Sequence, residues 1–380
     1  MAKDDGIEVA AYYCPLWHCD PRYDAWHGKG WTEWELLKIA QPRFPGHRQP
    51  IRPAWGYFDE SDPVWAAKEI DLAADHGITT FLYDWYWYED GPFLDDGLES
   101  GFLQAPNNGR LKFALMWANH DWWNIHPAKF TNRQEVLVSG GVSAEAFTRL
   151  TDHAIERYFG QPNYLRIDGA PYFCIYELQT FISGLGGVDA ARRALDDFRR
   201  RARKTGHPDV HLNVMVWCMG VLQSEQKIAD PVKLISDLGA ASVGSYVWVH
   251  HYDPNAHGFP LGSYAEAAKA NFAAWADYRE RFPIPYFPNV SMGWDSSPRT
   301  IQSDRYEPRG YPFTAILAGS TPAAFREALR NAKEFAMALP PGERIVSLNA
   351  WNEWTEGSYL LPDEANGSGY LEAVRAVFGV

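Results

Sequence analysis

Eight short apolar runs, each rich in β-branched or aromatic residues, alternate along this chain with longer segments of helical period, and that alternation narrows its fold more than any other feature. The runs are "IEVAAYYC" (7–14), "ITTFLYDWY" (78–86), "LKFALMWAN" (111–119), "APYFCIYE" (170–177), "VHLNVMVWC" (210–218), "ASVGSYVWV" (241–249), "IPYFPNVSM" (284–292) and "RIVSLNAW" (344–351). Between them lie "DPVWAAKEIDLAADHG", "SAEAFTRLTDHAIERYFG", "VDAARRALDDFRRRARKTG", "SYAEAAKANFAAWADYRERF" and "TPAAFREALRNAKEFAMALP", and "GYLEAVRAVFG" follows the last run. Several of these segments open on Ser, Thr or Asp, whose side-chain oxygens cap the first free N–H groups of a helix, and close on Gly or Pro. Strand-sized runs separated by helix-sized segments are the pattern of βα units around a parallel sheet. With 380 residues to place, eight units predict an α/β fold, a single (β/α)8 TIM barrel over residues 1–380 with elaborated βα loops. An open doubly wound sheet is the competing arrangement.

A βα barrel gathers its chemistry at the C-terminal ends of its strands. There the chain reads "YDWYWYED" after the second run, "MWANHDWW" after the third, "YEL" after the fourth, "VWC" after the fifth, "YVWVHHYD" after the sixth, "MGWDSSPR" after the seventh and "WNEWTEG" after the eighth. Nearly every end combines Trp or Tyr with a carboxylate, an amide or His, and the N-terminal ends of the same runs do not. Aromatic residues make up 15% of the chain and include 17 tryptophans, more large indoles than core packing requires. Flat indole faces suit the C–H side of pyranose rings, so this distribution points to carbohydrate.

The last of these ends places Glu353 and Glu356 three positions apart, with Trp351 and Trp354 beside them. Along "IVSLNAWNE" the period-two alternation sets Val346, Leu348 and Ala350 toward the helices, and Ser347, Asn349, Trp351 and Glu353 toward the barrel interior. Glu353 is therefore expected at the mouth, and Gly357 permits a bend that returns Glu356 toward it. Paired carboxylates at such a site supply the acid and base that glycoside chemistry needs. The competing reading pairs one glutamate with an arginine such as Arg299 and leaves the other in solvent.

Other chemistries find less support. A net charge of −13, from 48 acids and 35 bases, opposes phosphate-backbone binding, so no nucleic-acid partner is expected. No apolar run approaches the roughly 20 residues that cross a bilayer, and "MAKDDGIEVAAYYC" holds no secretory signal, so neither membrane insertion nor export is expected. Cys14, Cys19, Cys174 and Cys218 contain no CxxC pair, which argues against zinc and for a reducing, cytoplasmic setting, although a trimmed leader would leave the same residues. His250 and His251 on an extended segment point opposite ways and fit hydrogen bonding better than a shared metal. Glu177 reads equally as a further acid of the site or as the buried partner of a base. "GHRQP" (46–50), with Gly28 and Gly30, reads as a folded loop; the chain has neither a GxxxxGK[ST] loop nor a GxSxG elbow. No cofactor and no metal are expected.

Taken together, "YYCPLWHCDPRYDAWHGKGWTEWELLKIAQPRFPGHRQP", "HGITTFLYDWYWYEDG", "MWANHDW", "MGWDSSPR" and "AWNEWTEGSYLLPDE" resemble, in the same order, the motifs of the WbsX-like proteins. Those proteins are similar to glycoside hydrolase family 99, the endo-α-mannosidases. "GKGWTEW" and "WNEWTEG" are the most specific elements. The resemblance implies a (β/α)8 barrel and metal-independent, retaining hydrolysis of α-mannosides. In that family the first glutamate of ExxE acts on the sugar's own 2-hydroxyl, which attacks the anomeric carbon to form a 1,2-anhydro sugar, while the second protonates the leaving oxygen and then activates water. Carried over by motif, Glu353 is the base and Glu356 the acid/base. Two positions depart from the pattern: Thr355 stands where family 99 endomannosidases typically have His, and Asp84 where WbsX-like proteins are expected to have His.

The expected function is thus hydrolysis of an α-linked oligosaccharide or polysaccharide. Trp31, Trp85, Trp87, Trp117, Trp122, Trp248, Trp294, Trp351 and Trp354 are candidate sugar platforms. Asp84, Asn119, Asp121, Tyr176, Glu177, Tyr246, His250, Asp295 and Arg299 are candidate hydroxyl-binding groups. A glycosyltransferase of polysaccharide biosynthesis is one alternative, which needs a nucleotide-diphosphate site that no DxD motif or phosphate loop provides. A barrel that binds sugar without catalysis is the other, and it has no use for an acid pair.

Overall fold

In the computed structural model, which describes residues 6–131, 135–216 and 230–379, each of the eight apolar runs contributes to a parallel barrel. The strands are β1 (Glu8–Tyr13), β2 (Thr80–Tyr88), β3 (Lys112–Trp117), β4 (Ala170–Ile175), β5 (His211–Met215), β6 (Ser242–Gly244), β7 (Tyr286–Phe287), β8 (Asn289–Ser291) and β9 (Ile345–Asn349). They pair in the order β7-β6-β5-β4-β3-β2-β1-β9-β8. The distal residues of the fifth run, Trp217 and Cys218, lie outside the described residues.

The nine strands fill eight barrel positions because the seventh run is broken at Pro288, which has no N–H to give to a ladder. Upstream of the break β7 pairs with β6, Val243 opposite Tyr286. Downstream of it β8 pairs with β9, Val290 opposite Leu348. One interrupted strand thereby brings the two ends of the sheet together, and the chain is a nearly closed (β/α)8 barrel.

Helices on the outside follow the predicted segments: α1 (Pro63–Asp75), α2 (Ala144–His153), α3 (Val188–Lys204), α4 (Pro231–Leu238), α5 (Tyr264–Arg281), α6 (Pro322–Met337) and α7 (Gly369–Phe378). Asp62, Ser143, Asp230, Ser263 and Thr321 each accept a backbone N–H in the first turn that follows, as cap residues do. On α1 the buried residues Ala66, Glu69, Ile70 and Ala73 share one face, at the spacing of a helical stripe.

Strand alternation divides the side chains between two environments. On β2, Asp84 and Tyr86 line the cavity inside the barrel mouth, whereas Trp85 packs outward against His153 and Tyr158. The barrel floor is polar: Ser242 Oγ donates to Asn213 Oδ1 at 2.8 Å, Ser245 Oγ meets Tyr286 Oη at 2.8 Å, and Asn289 Nδ2 donates to Ser347 Oγ at 3.2 Å. These groups satisfy one another, which buried polar atoms require. The aromatic and aliphatic bulk lies instead between strands and helices.

The alternation expected along 345–353 stops at Asn349, where the ladder ends. Trp351 consequently turns to the outer layer, donating its Nε1–H to Glu69 Oε1 at 2.9 Å and packing on Phe81. Glu353 reaches the mouth by a different route, a short antiparallel pairing of Asn352–Glu353 with Ser358–Tyr359.

Candidate active site

Past the end of β9 the chain makes a tight turn whose two glutamates converge on one guanidinium. Arg299 Nη2 donates to Glu353 Oε1 at 2.6 Å, and Nη1 donates to Glu356 Oε1 at 2.6 Å. A third carboxylate, Glu33 from the segment after β1, accepts from Arg299 Nη2 at 3.2 Å. Thr355 accepts from Arg299 Nε at 3.0 Å and donates to Glu33. The competing reading, in which one glutamate pairs with Arg299 and the other is solvated, fails because both are buried on the same cation.

Gly357 makes this turn possible. It adopts φ 63°, in the left-handed region, and a Cβ there would come within 2.8 Å of Asp295 Cβ. Asp295 holds the turn from behind: its N–H donates to the Glu356 carbonyl at 2.6 Å. Its carboxylate meets His47 Nε2 at 2.9 Å and accepts from Gln49 Nε2 at 2.7 Å and from the Ser297 N–H at 3.0 Å. Burial alone would raise the Asp295 carboxyl, but these partners hold it below its ordinary value. The "GHRQP" loop therefore supports the acid turn, in keeping with a folded loop.

The electrostatics separate the groups. Burial, with Glu353 nearby, pushes the Glu356 carboxyl up to about 7 against the pull of Arg299. Burial also raises Glu33, and it raises Asp84 well above the usual carboxylate range with further help from Glu353. His126, whose Nε2 lies 3.2 Å from Glu33 Oε1, is driven well below its ordinary value by burial and by Arg299 and is neutral. One cation thus serves several carboxylates, and the centre retains protons at neutral pH. Glu353 accepts from Arg299 and from the Cys14 thiol at 2.5 Å, with the Tyr246 hydroxyl 3.3 Å away. Glu356 sits where a carboxyl holds its proton.

Both glutamates open onto a cavity of about 670 Å³. Its walls include Asp84, Tyr86, Met116, His120, Asp121, Trp122, Trp123, His126, Tyr176, Glu177, Tyr246, His250, Trp294, Arg299 and Tyr311. Among the described residues, Arg299 is the only lysine or arginine in that lining. Cys14, Asp84 and Glu353 also bring ligand-type atoms within 4.8 Å of one another.

A family model described as "Glycosyltransferase WbsX" matches residues 9–374. The chain belongs to the WbsX family. Among curated proteins this WbsX chain is similar to the uncharacterized protein WxcX of Xanthomonas campestris pv. campestris, at 27% identity over 97% of this chain and 49% of that protein. The chain spans about half the length of the curated relatives it matches. Among solved structures it is similar to the GH99 endo-alpha-mannosidase from Bacteroides thetaiotaomicron, with a TM-score of 0.60 and 14% identity, covering 98% of this chain and 96% of that one. A glycoside hydrolase-like protein gives 0.61 and 16%, covering 98% and 94%. These likenesses establish the shared barrel.

In the WbsX barrel the candidate sugar contacts Asp84, Asp121, Trp122, Tyr176, Glu177, Tyr246, His250, Trp294 and Arg299 line the cavity with the two glutamates. The others lie apart from it. Trp85, Trp87 and Trp117 have the wrong parity on β2 and β3 and face the helices, Trp117 packing on Phe147 and Phe181. Trp248 donates to the Asn289 carbonyl at 2.8 Å and packs on Tyr264. Trp354 stacks on Tyr359 with ring centres 4.0 Å apart, Trp351 binds Glu69, and Trp31 packs on His27 and Tyr23. Asn119 and Asp295 act as supports: Asn119 holds the Glu177 backbone through two 2.7 Å bonds, and Asp295 holds the acid turn. His251 binds Ser245 Oγ and Tyr278 Oη, while its neighbour His250 faces the cavity.

Sequence reasoning missed Tyr86, Met116, His120, Trp123, His126, Tyr311 and Glu33. The parity that excludes Trp85 and Trp117 selects Tyr86 and Met116, so that signal was available. Glu33 lies inside "GKGWTEW", a motif that marks the family resemblance but contributes only Trp31 to the candidate site residues. For Tyr311 no local signal exists, because it comes from an irregular segment after β8.

Proposed function

We propose that this WbsX barrel hydrolyses an α-linked glycan, mannose-configured or closely related, with retention at the anomeric carbon. Glu353 takes the proton of the sugar's 2-hydroxyl as that oxygen attacks C1. The bond from C1 to the leaving oxygen breaks, and Glu356 gives its proton to that oxygen, leaving a 1,2-anhydro sugar. Glu356, now a carboxylate, takes a proton from water as the water oxygen attacks C1, and Glu353 returns its proton to O2. The sum is addition of one water across the glycosidic bond.

One observation carries this reading: two buried glutamates share Arg299 at 2.6 Å each on the cavity wall, and one of them, Glu356, has its carboxyl raised to about 7. A general acid working near neutral pH needs such a raised value. The similar Bacteroides protein is an endo-alpha-mannosidase, which points the same way. A second reading, transfer from a nucleotide sugar, draws on the family's description. A diphosphate needs positive charge, and the lining arginine is already engaged by three carboxylates; that weighs toward hydrolysis.

Replacing either glutamate with Gln keeps its size and removes proton transfer worth roughly 10²–10⁴-fold in rate. On an α-linked oligosaccharide both variants are expected to lose that much. On an aryl glycoside whose leaving group departs without protonation, Glu356→Gln recovers most of its first-step rate and Glu353→Gln stays slow. The measurement is release of reducing ends and of the aryl group, with nucleotide sugars run in parallel. Normal hydrolysis by both variants removes the pair from catalysis, and product formed only from nucleotide sugars establishes transfer.

A further inference from the structure

Where β1, β2 and the turn after β9 meet, three side chains of different chemistry come together: the Cys14 thiol, the Asp84 carboxyl and the Glu353 carboxylate. β1 lies between β2 and β9 in the barrel, so neighbouring strands and the segments that follow them present the three groups, and the Cys14 N–H is fixed by Asn352 Oδ1 at 2.7 Å. We propose that Cys14, Asp84 and Glu353 form a binding site for one soft divalent cation of the Zn²⁺ type, and that its occupancy blocks turnover.

Tetrahedral zinc with a sulfur ligand at about 2.3 Å and an oxygen ligand at about 2.1 Å sets those two atoms about 3.6 Å apart. Cys14 Sγ lies 3.6 Å from Asp84 Oδ2. Glu353 Oε2, 2.5 Å from the same sulfur, needs to withdraw by about 1 Å to reach that spacing. A second observation points to a ligand: Asp84 is 4% exposed and lines the cavity, yet its Oδ1 has no hydrogen-bond partner among the described residues, a costly state for a buried oxygen. The Tyr246 hydroxyl, donating to Asp84 Oδ2 at 2.7 Å, orients that carboxyl. An ion reaches the site through the cavity that Asp84 and Glu353 line. As the sulfur–metal bond forms, the thiol proton passes to solvent. The residues stand at 14, 84 and 353, so no local spacing announces them in the sequence.

Binding stands without any reference to sugar chemistry; only the block of turnover rests on the function proposed above, because the ion engages the carboxylate assigned as base. The test titrates Cd²⁺ into the chelator-treated full chain without glycan and follows the ultraviolet sulfur-to-cadmium charge-transfer band. One equivalent is expected to saturate a band that Cys19→Ala retains and Cys14→Ala abolishes. Asp84→Asn is expected to weaken binding by more than the roughly 10–100-fold that loss of an outer partner of a metal ligand costs. Absence of the band, its persistence in Cys14→Ala, or its loss in Cys19→Ala overturns the proposal. Should circular dichroism show Cys14→Ala unfolded, Asp84→Asn decides alone, and unchanged affinity overturns the site. On substrate, Zn²⁺ is expected to stop turnover and a chelator to restore it. A saturated band with undiminished turnover overturns the inhibitory role.

Discussion

Arg299 organises the acids, and Tyr311 tunes them. The Tyr311 hydroxyl donates to Glu356 Oε1 at 2.6 Å and, like Arg299, favours the ionised carboxylate against a larger opposing effect from burial. Removing that donor raises the carboxyl further, so Glu356 keeps its proton to higher pH. A donor that must be protonated to act then remains active further into the basic range. Tyr311→Phe is accordingly expected to move the alkaline limb of the kcat/KM profile upward from the neighbourhood of pH 7, as pH–rate measurements will show; a limb that stays in place or moves down separates it from Glu356. Glu353 and Glu356 were legible because a strand end and a glycine turn announce them. Glu33 was not, because its role depends on an arginine 266 positions away.

Among the outer elements, α1 carries a carboxyl that behaves as a neutral group. Glu69 accepts from Tyr13 Oη at 3.0 Å and from Trp351 Nε1 at 2.9 Å, and burial pushes it from 4.5 to about 8. The folded chain therefore holds this proton where the unfolded chain has lost it, and the linkage runs against stability as pH rises from about 4.5 to about 8. Glu69→Gln keeps the shape without the titration. Its stability relative to the parent is expected to improve as pH rises across that window, measured by urea unfolding at several pH values; a difference independent of pH shows that Glu69 does not titrate there. At this level the sequence spoke clearly about existence and less clearly about orientation. All eight strand runs and the principal helices were visible from periodicity and caps. Which tryptophans face the cavity was not, since strands presenting aromatics on both faces conceal the inner set unless parity is enforced. Trp351 shows the limit of parity itself, for the rule ends where the ladder does.

The whole barrel was legible because eight βα units in 380 residues leave few ways to bury their faces. The break at Pro288 appeared in the sequence only as a proline within a strand run, and its part in bringing the sheet's ends together needed the three-dimensional pairing. Closure also joins distant parts of the chain: β1 pairs with β9, Glu8 opposite Ile345, and the Arg299 centre draws its acids from both ends of the sequence. Such non-local contacts form slowly, because long loops must close before any contact rewards them. In refolding from urea, turnover is expected to return with the slowest change in tryptophan fluorescence and not before it; activity that precedes that phase shows that the centre assembles without closure. The three-carboxylate clamp on Arg299 has a consequence for synthesis as well. A nascent chain that has emerged only as far as Arg299 holds Glu33 and the guanidinium but neither glutamate of the pair, so under the proposed function it stays chemically silent during translation until the last barrel strand and the turn beyond have left the ribosome.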